Sequence, residues 1–194
     1  MLGNLLADIR ACQACAAFLP HGPRPIVQAA PASRILIIGQ APGSKVHASG
    51  VPWDDDSGDR LREWTGLTRE AFYDPAQVAL MPMGFCYPGK GEGGDLPPRP
   101  ECAPLWHGPL LAALPQVRLT LLVGQYAQGA YLPKHLRPSM TEAVRRQSQA
   151  PTGQFPLPHP AWRSRLWMGK NAWFEAEVLP LLRSQVAAAL DQKT

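Results

Sequence analysis

Two short runs of aliphatic residues, each ending in glycine, constrain the fold of this chain more than any other feature. They are RILIIG at 34–39 and LTLLVG at 119–124. A continuous apolar run of this length is typical of a strand that is buried on both faces, as in the parallel sheets of α/β proteins. A glycine at the end of such a strand permits a tight turn into the next element. The two runs therefore predict a parallel sheet that helices cover on both faces.

The rest of the chain predicts helices that alternate with these strands. The expected helices cover 3–12, 57–66, 103–114, 125–131, 141–148 and 171–190, and two further strands are expected at 78–83 and 154–157. Ser57 is the expected cap of the second helix, and Pro180 is expected to bend the last one. No linker divides the 194 residues. We therefore expect one domain, 1–194, of the three-layer α/β/α class with a mostly parallel central sheet.

The composition excludes several classes of protein. Hydrophobic residues make up 45% of the chain, and the 17 Gly and 22 Pro stay below the share of a low-complexity sequence. No run of about 18 apolar residues is present, which argues against a membrane span. Asp8 and Arg10 make the apolar N-terminal stretch a poor secretory signal. We therefore expect a cytoplasmic protein.

Charge is distributed unevenly along the chain. Residues 1–96 carry eight Lys and Arg against ten Asp and Glu, whereas residues 97–194 carry eleven against five. A basic side suits an anionic partner such as nucleic acid, although an ordinary alkaline protein can show the same balance. Charge alone leaves both interpretations open.

Four cysteines form a candidate metal or cluster site. They are Cys12, Cys15, Cys86 and Cys102, so one C-x2-C pair is followed by two single cysteines. A disulfide framework is unexpected in a cytoplasmic protein. A zinc ribbon prefers two C-x2-C pairs, whereas an iron–sulfur cluster tolerates mixed spacing. Iron–sulfur, zinc and buried thiols without a ligand all stay open on spacing alone.

Three loops carry the residues that are suited to chemistry. GQAPG at 39–43 follows the first strand, where α/β sheets bind ligands. The second loop, 50–58, holds Trp53 beside three consecutive carboxylates, Asp54, Asp55 and Asp56. The third, 155–165, frames His159 between two prolines and continues to Arg163 and Arg165. Rigid framing pre-organises the imidazole, and the arginines suit phosphates.

Each of these loops also has an ordinary structural explanation. GQAPG lacks the spacing of a nucleotide-binding glycine loop and fits a tight turn. Consecutive carboxylates diverge and rarely share one magnesium ion, and one of them can complement a helix N-terminus. A lone histidine is more often structural than catalytic. The combination of the loops therefore carries the functional argument.

Taken together, the motifs resemble those of the uracil-DNA glycosylase superfamily. GQAPG at 39–43 and HPA at 159–161 are similar to the first and last motifs of its iron–sulfur branch, and GVPW at 50–53 occupies the place of its aromatic motif. The four cysteines fall where that branch has its cluster ligands. Stretches such as MGFCYPG at 83–89 look like a bacterial glycosylase-like subgroup. The resemblance covers most of the chain, from about residue 10 to residue 185.

This resemblance implies a DNA base-excision repair glycosylase. Such an enzyme flips a damaged base, here most simply uracil, out of the helix and hydrolyses its N-glycosidic bond. The implied cofactor is a 4Fe-4S cluster, with zinc as the lesser alternative. The implied roles are catalytic for His159, Asp55 and Asp56; base-binding for Gly39, Gln40, Ala41 and Trp53; DNA-phosphate binding for Arg163 and Arg165; and metal binding for Cys12, Cys15, Cys86 and Cys102. We expect the base to lie between the loops of Trp53 and His159.

Further expectations and departures accompany the resemblance. The only lysine in the three motifs is Lys45, so we expect a monofunctional, monomeric enzyme that does not cut the strand. Pro82 stands where the branch has an asparagine that reads the base, and Gln40 and Ala41 replace acids of related motifs. Two alternatives therefore stay open. They are a catalytically inactive DNA-damage-binding protein and a metal-dependent phosphohydrolase that uses Asp54–Asp56.

Overall fold

A four-stranded, entirely parallel sheet forms the centre of the protein. Residues 1–191 are described by a computed structural model of the chain. Their strands are β1 (Ile35–Ile38), β2 (Val78–Leu80), β3 (Lys90–Gly91), β4 (Gly94–Asp95), β5 (Leu119–Val123) and β6 (Gln154–Leu157). The central sheet has the order β2-β1-β5-β6, and β3 and β4 form a separate antiparallel hairpin.

Alternate residues of β1 point to opposite layers of the fold. Ile35 and Ile37 join a buried cluster with residues of the helices on one face, and Leu36 and Ile38 join a second cluster on the other. All four side chains are fully buried. Burial of each aliphatic side chain stabilises the fold by about 1.5–3 kcal/mol. This arrangement confirms the predicted three-layer α/β/α class, with a sheet that is wholly rather than mostly parallel.

Helices lie on both faces of this sheet. They are α1 (Leu2–Arg10), α2 (Ser44–Ser49), α3 (Asp56–Thr65), α4 (Arg69–Tyr73), α5 (Cys102–Ala112), α6 (Gln125–Tyr131), α7 (Met140–Arg145), α8 (Ser164–Lys170) and α9 (Leu179–Asp191). Short 3-10 turns cover Ala16–Phe18, Lys134–Leu136 and Gln147–Gln149, and a π-helical turn covers Phe174–Val178. None of the helices in residues 1–191 is long and apolar enough to cross a membrane.

Several element boundaries differ from the prediction for identifiable reasons. The second strand ends at Leu80 rather than at residue 83, although the N–H groups of Met81 and Met83 still bond to the carbonyls of Ile37 and Gly39. Asp55, not Ser57, caps α3, since its carboxylate accepts the Gly58 N–H at 2.9 Å. The last predicted helix is a π-helical turn that passes into α9 at Leu179, close to the expected bend at Pro180.

Some elements lie in segments that were predicted to be loops. Both α2 and α8 are only two turns or less, which is too short for a clear apolar period. The hairpin of β3 and β4 lies within the predicted glycine-rich loop 87–100. The domain boundary 1–194 stays a prediction, and residues 192–194 lie outside the described part of the chain.

The topology opens a crevice at the carboxyl ends of the strands. β1 lies between β2 and β5, so the chain leaves β1 toward one side of the sheet and β5 toward the other. Ligands of open α/β sheets bind where the strand order reverses in this way. The loop 39–43 follows β1, and His159 lies two residues after the end of β6. The fold therefore brings the first and third predicted loops to one edge of the sheet.

The first turn of α3 requires a glycine at position 58. A β-carbon on Gly58 would lie 1.8 Å from the carbonyl oxygen of Trp53, which is a backbone atom that cannot rotate away. We therefore expect Gly58→Ala to lower the free energy of unfolding, measured by chemical denaturation, by about 3 kcal/mol. Gly129→Ala in α6 is the matched control, because a β-carbon there meets nothing within 4 Å. This control should be neutral or stabilising by up to about 1 kcal/mol. Equal stability of the two variants would contradict the close approach.

Candidate active site

A cavity of about 470 Å³ lies at the carboxyl edge of the sheet. This volume is within the range of sites that bind small molecules. Residues of all three predicted loops line it, namely Gly39, Gln40, Ala41, Trp53, Asp55, His159 and Arg163. Asp56 and Arg165, the other two residues predicted for its chemistry, do not line it. Arg165 lies instead in a separate groove beside Arg60 and Glu63.

Trp53 has a backbone conformation that side chains rarely adopt. Its φ angle is +58°, the only positive φ among non-glycine residues in the described part of the chain. Such a conformation costs about 1–3 kcal/mol and persists only where the surroundings enforce it. The Trp53 carbonyl packs against Gly58, and the Trp53 ring packs against Gly39. A β-carbon on Gly39 would lie 2.6 Å from indole Cζ2. Two glycines therefore hold the indole against the end of β1.

Trp53 and His159 contact each other directly. Their ring centroids are 5.8 Å apart and the ring planes differ by 28°. Aromatic pairs in contact have centroid distances of roughly 4.5–7 Å, so a third ring has no room between these two. The expectation that a base lies between the two loops therefore needs correction. In this arrangement a base has access to the pair only from the open side of the cavity.

His159 is held rigidly and stays neutral. Pro158 and Pro160, both buried, flank it, and Gly124 approaches its Cβ so closely that a β-carbon at position 124 would lie 3.3 Å away. Burial lowers the pKa of His159 from 6.5 to about 4, so the imidazole is uncharged at neutral pH. Within residues 1–191 its ring nitrogens have no hydrogen-bond partner. A neutral imidazole without a partner can donate a hydrogen bond to a ligand in the cavity.

The three consecutive aspartates point in different directions. Asp54 pairs with Arg69 at 3.3 Å, and Asp56, with a side chain that is 90% exposed, pairs with Lys45 at 3.1 Å. Only Asp55 lines the cavity. In the described residues no group of three His, Cys, Asp or Glu side chains is arranged to hold a single metal ion. The three side chains therefore have separate partners or surroundings, which does not support one magnesium ion shared by Asp54–Asp56.

The two carboxylate oxygens of Asp55 have different surroundings. One oxygen, Oδ1, accepts the Gly58 N–H at the start of α3. The other, Oδ2, would lie 4.0 Å from a β-carbon on Gly43, another residue of the cavity wall. Burial raises the pKa of Asp55 above its ordinary 3.8, although the Gly58 N–H opposes this shift. Asp55 is therefore a more basic carboxylate than an exposed one and has one oxygen directed to the cavity.

The hairpin of β3 and β4 forms the opposite wall, which the sequence did not predict. Gly93, Gly94 and Asp95 line the cavity from this side. Arg163 donates a hydrogen bond to the Gly93 carbonyl at 3.2 Å, which joins the hairpin to the loop after β6. Next to it, Trp162 also lines the cavity and is 69% exposed. An exposed indole at the opening of a cavity is suited to stack on a ligand.

Pro82 also lines the cavity, and its carbonyl is already occupied. His107 Nε2 lies 3.0 Å from the Pro82 oxygen, and His107 Nδ1 lies 2.6 Å from the Tyr131 hydroxyl. A carbonyl only accepts, so Nε2 donates to it and Nδ1 accepts from Tyr131. Burial lowers the pKa of His107, which is consistent with this neutral tautomer. Pro82 therefore presents an apolar ring to the cavity. The side-chain amide of Gln40, another residue of the cavity wall, makes no hydrogen bond within residues 1–191.

The four cysteines converge on a second, much smaller cavity. Cys12 and Cys15 follow α1, Cys86 lies after β2, and Cys102 begins α5, yet all four line one space of about 10 Å³. None of the four forms a disulfide. Burial, with a smaller contribution from the neighbouring thiols, raises the pKa of Cys86 to about 11 and that of Cys102 to about 12. Such thiols ionise in this environment only with a compensating cation.

Two observations test whether this donor set fits a cluster. Trp106 lines the same small cavity, and its buried indole N–H has no acceptor. Buried donors normally have a partner, and a cluster sulfur would supply one. Four thiols on three segments, with an unpaired donor beside them, fit the donor set of a metal cluster.

A comparison with known protein families agrees with this geometry. The family model described as the uracil DNA glycosylase superfamily matches residues 27–183. The match includes the wall of the large cavity, together with Cys86 and Cys102, whereas Cys12 and Cys15 lie before it. It covers most of the chain. The protein belongs to the uracil-DNA glycosylase superfamily.

Proposed function

We propose that this protein is a monofunctional DNA glycosylase that hydrolyses the N-glycosidic bond of a damaged base, most simply uracil. The observation that carries the proposal is the meeting of Trp53, His159 and Asp55 in one cavity at the carboxyl edge of the sheet. An aromatic surface, a neutral donor and a carboxylate are the groups that this reaction requires. Membership of the superfamily supports the same reaction.

Base binding depends on Trp53 and on the loop after β1. A base inside a duplex must leave the stack before an enzyme can reach its bond to the sugar. Trp53 offers a half-buried indole for stacking, and Gly39 and Ala41 let the backbone approach the base closely. The free Gln40 amide can donate to a base carbonyl and accept from the adjacent ring N–H. These two hydrogen bonds of Gln40 would replace those that a side-chain amide at position 82 would make, since Pro82 has no amide side chain.

Bond cleavage depends on His159 and Asp55. As the bond between C1′ and the base breaks, negative charge develops on the base oxygen and positive charge on the sugar. The neutral His159 imidazole can donate a hydrogen bond to that oxygen, which stabilises the leaving base. Asp55, with its accessible oxygen and raised pKa, can accept the proton of the attacking water. Asp56 pairs with Lys45 and does not line the cavity, so this role is not assigned to it.

The absence of an amine from this cavity supports monofunctional chemistry. Strand scission by glycosylases proceeds through an amine that forms a Schiff base with the sugar. Lys45 does not line the cavity, and its ammonium pairs with Asp56. In the described residues no lysine contributes to the cavity wall. We therefore propose hydrolysis that leaves an intact abasic strand.

DNA binding requires a basic and aromatic rim around the cavity. Arg163 lines the cavity, and the exposed Arg165 lies two residues later in α8, outside the cavity wall. Arg163 would exchange the Gly93 carbonyl for a phosphate when DNA binds. Affinity that rests on such contacts falls steeply as the salt concentration rises. The exposed Trp162 can fill space in the DNA from which the base has been removed.

For the cysteine site we propose a 4Fe-4S cluster with a structural role. Cys12, Cys15, Cys86 and Cys102 would hold it, and the unpaired Trp106 N–H would donate to one of its sulfurs. Such a cluster would join α1, the segment after β2 and the start of α5. It would stabilise the fold without taking part in base excision.

The assignment of the two catalytic groups predicts the behaviour of three variants. His159→Ala should lower the single-turnover rate on a uracil-containing oligonucleotide by about 100–1000-fold, since it removes the donor to the leaving base. Asp55→Asn should lower it by about 100-fold or more. Asp56→Asn, the matched control, should stay near the wild-type rate. Abasic sites are detected by alkaline cleavage, with EDTA present.

Two results would contradict the assignment. If His159→Ala and Asp55→Asn excise uracil as fast as wild type, the cavity is not the active site. If wild type excises neither uracil nor hypoxanthine nor xanthine but binds DNA, the protein is an inactive damage-binding member of the superfamily. Activity that is lost in EDTA would favour a metal-dependent enzyme instead.

The pKa shifts predict the pH dependence of the reaction. Asp55 acts as a carboxylate, so the rate should fall as the pH drops through its pKa, which burial raises above 3.8. His159 acts as a neutral donor and, with a pKa of about 4, keeps this form at neutral pH. The single-turnover rate should therefore be constant at neutral pH and decline only on the acid side. A rate that rises on acidification toward pH 6 would mean that His159 acts in its protonated form.

The cluster proposal predicts a coloured protein. Anaerobically purified protein should be brown, with a broad absorption near roughly 400 nm and four iron and four sulfide per chain. Cys102→Ser should lose the colour, whereas Trp106→Phe should retain it with a shifted reduction potential, because only a hydrogen bond is lost. A colourless protein with one zinc per chain would overturn the iron assignment.

A further inference from the structure

We infer that Asp95 is a second catalytic carboxylate of the cavity, which stabilises positive charge on the sugar; this inference rests on the glycosylase activity proposed above. Asp95 ends β4 and lines the cavity beside the loop after β1. Its Oδ2 would lie 3.4 Å from a β-carbon on Gly43, and Oδ2 of Asp55 would lie 4.0 Å from the same atom. Two carboxylate oxygens from separate segments thus flank one point of the wall.

The surroundings of Asp95 direct this oxygen to the cavity. The Tyr87 hydroxyl donates to the other oxygen, Oδ1, at 3.4 Å. Tyr87 is buried and stacks on His21 with a centroid distance of 5.3 Å, so the donor comes from a fixed side chain. The hairpin itself is joined to the loop of His159 by the bond from Arg163 to Gly93. One oxygen of Asp95 therefore lies beside the Tyr87 hydroxyl, and the other lies beside the cavity wall at Gly43.

A structural role alone does not account for a carboxylate at this position. Backbone pairing between Lys90 and Asp95 and between Gly91 and Gly94 forms the hairpin, and Leu96 N–H also bonds to the Gly89 carbonyl. The Asp95 side chain is exposed and its hydrogen bond to Tyr87 is long, so the bond contributes little to stability. A negative charge beside the opening of a DNA-binding cavity also repels phosphates. Such a charge is useful where positive charge develops during the reaction.

The proposed step uses the two carboxylates differently. The bond between C1′ and the base nitrogen breaks, and its electron pair leaves with the base, whose oxygen accepts a hydrogen bond from His159. The sugar becomes cationic, and Asp95 stabilises it electrostatically while remaining ionised. The oxygen of water forms a bond to C1′, and Asp55 takes the proton of that water. Asp55 then returns the proton to solvent, and solvent protonates the departed base.

Asp95→Asn tests this role against a matched control on the same hairpin. Glu92 carries the same charge but does not line the cavity, so Glu92→Gln removes an equal charge without touching the reaction. Asp95→Asn should lower the single-turnover rate of uracil excision by about 100-fold, whereas Glu92→Gln should leave it unchanged. Both variants should bind undamaged DNA as tightly as wild type or more tightly, since each removes a negative charge.

A binding measurement tests the same charge without turnover. An oligonucleotide with a cationic pyrrolidine in place of the sugar mimics the sugar cation, and a neutral tetrahydrofuran analogue is its control. Wild type and Glu92→Gln should prefer the cationic analogue, and Asp95→Asn should lose at least tenfold of this preference. If Asp95→Asn keeps both the wild-type rate and the wild-type preference, this inference is overturned alone. If wild type excises no base, the proposed glycosylase activity fails, and the role of Asp95 in catalysis fails with it.

Discussion

The contact between the Trp53 carbonyl and Gly58 is the constraint on which the site depends. It forces Trp53 into a left-handed backbone conformation at the entrance to α3 and places its ring over Gly39. That conformation costs about 1–3 kcal/mol, which the Asp55 cap and the packing of the Trp53 ring against the core offset. The same turn therefore fixes the aromatic surface and directs one Asp55 oxygen into the cavity. A local strain at the end of the loop positions two functional groups at once.

The segment 83–87 connects this site to the cysteine cavity. The N–H groups of Met83 and Gly84 bond to the carbonyls of Gly39 and Gln40, each at 2.9 Å, and so hold the loop after β1. Cys86 lies in the cysteine cavity, and the next residue, Tyr87, bonds to Asp95. Five consecutive residues thus contact the base-binding loop, the candidate cluster site and the hairpin. A cofactor bound to Cys86 would fix both walls of the cavity while remaining outside it.

The sequence predicted the sheet and most of the site, because both depend on local patterns. Continuous apolar runs specify buried strands, and a parallel sheet brings the loops after β1 and β6 to one edge. Trp53, Asp55 and His159 could therefore be assigned to one site before their distances were known. The capping role of Asp55 and the outward direction of Asp56 depend on the conformation of Trp53, which no residue pattern specifies. For the same reason, the sequence could not show that the three aspartates have separate partners or surroundings.

The positions of Asp95 and Trp162 in the cavity wall could not be predicted from sequence patterns. Asp95 lies among glycines and prolines that predict only a loop, and its approach to Gly43 arises from a hairpin of two short strands. Trp162 follows the HPA motif but carries no spacing signal that separates a surface indole from a buried one. Arg163 was expected to bind phosphate, yet in this structure it bonds to Gly93. Each of these contacts joins segments far apart in sequence, so only the folded chain reveals them.

The charges of the cavity can be compared with those that develop in the proposed hydrolysis of an N-glycosidic bond. Asp55 and Asp95 each place a carboxylate oxygen near Gly43, where in the proposed reaction a sugar would become cationic, while His159 is kept neutral by burial. A protonated His159 would pair with these carboxylates and weaken their effect on the sugar, whereas a neutral imidazole donates to the base without reducing the negative charge. In the proposed reaction the buried, neutral His159 therefore interacts with the negative charge on the base, and the two carboxylates interact with the positive charge on the sugar. On this argument the low pKa of His159 is part of the chemistry and more than a consequence of packing.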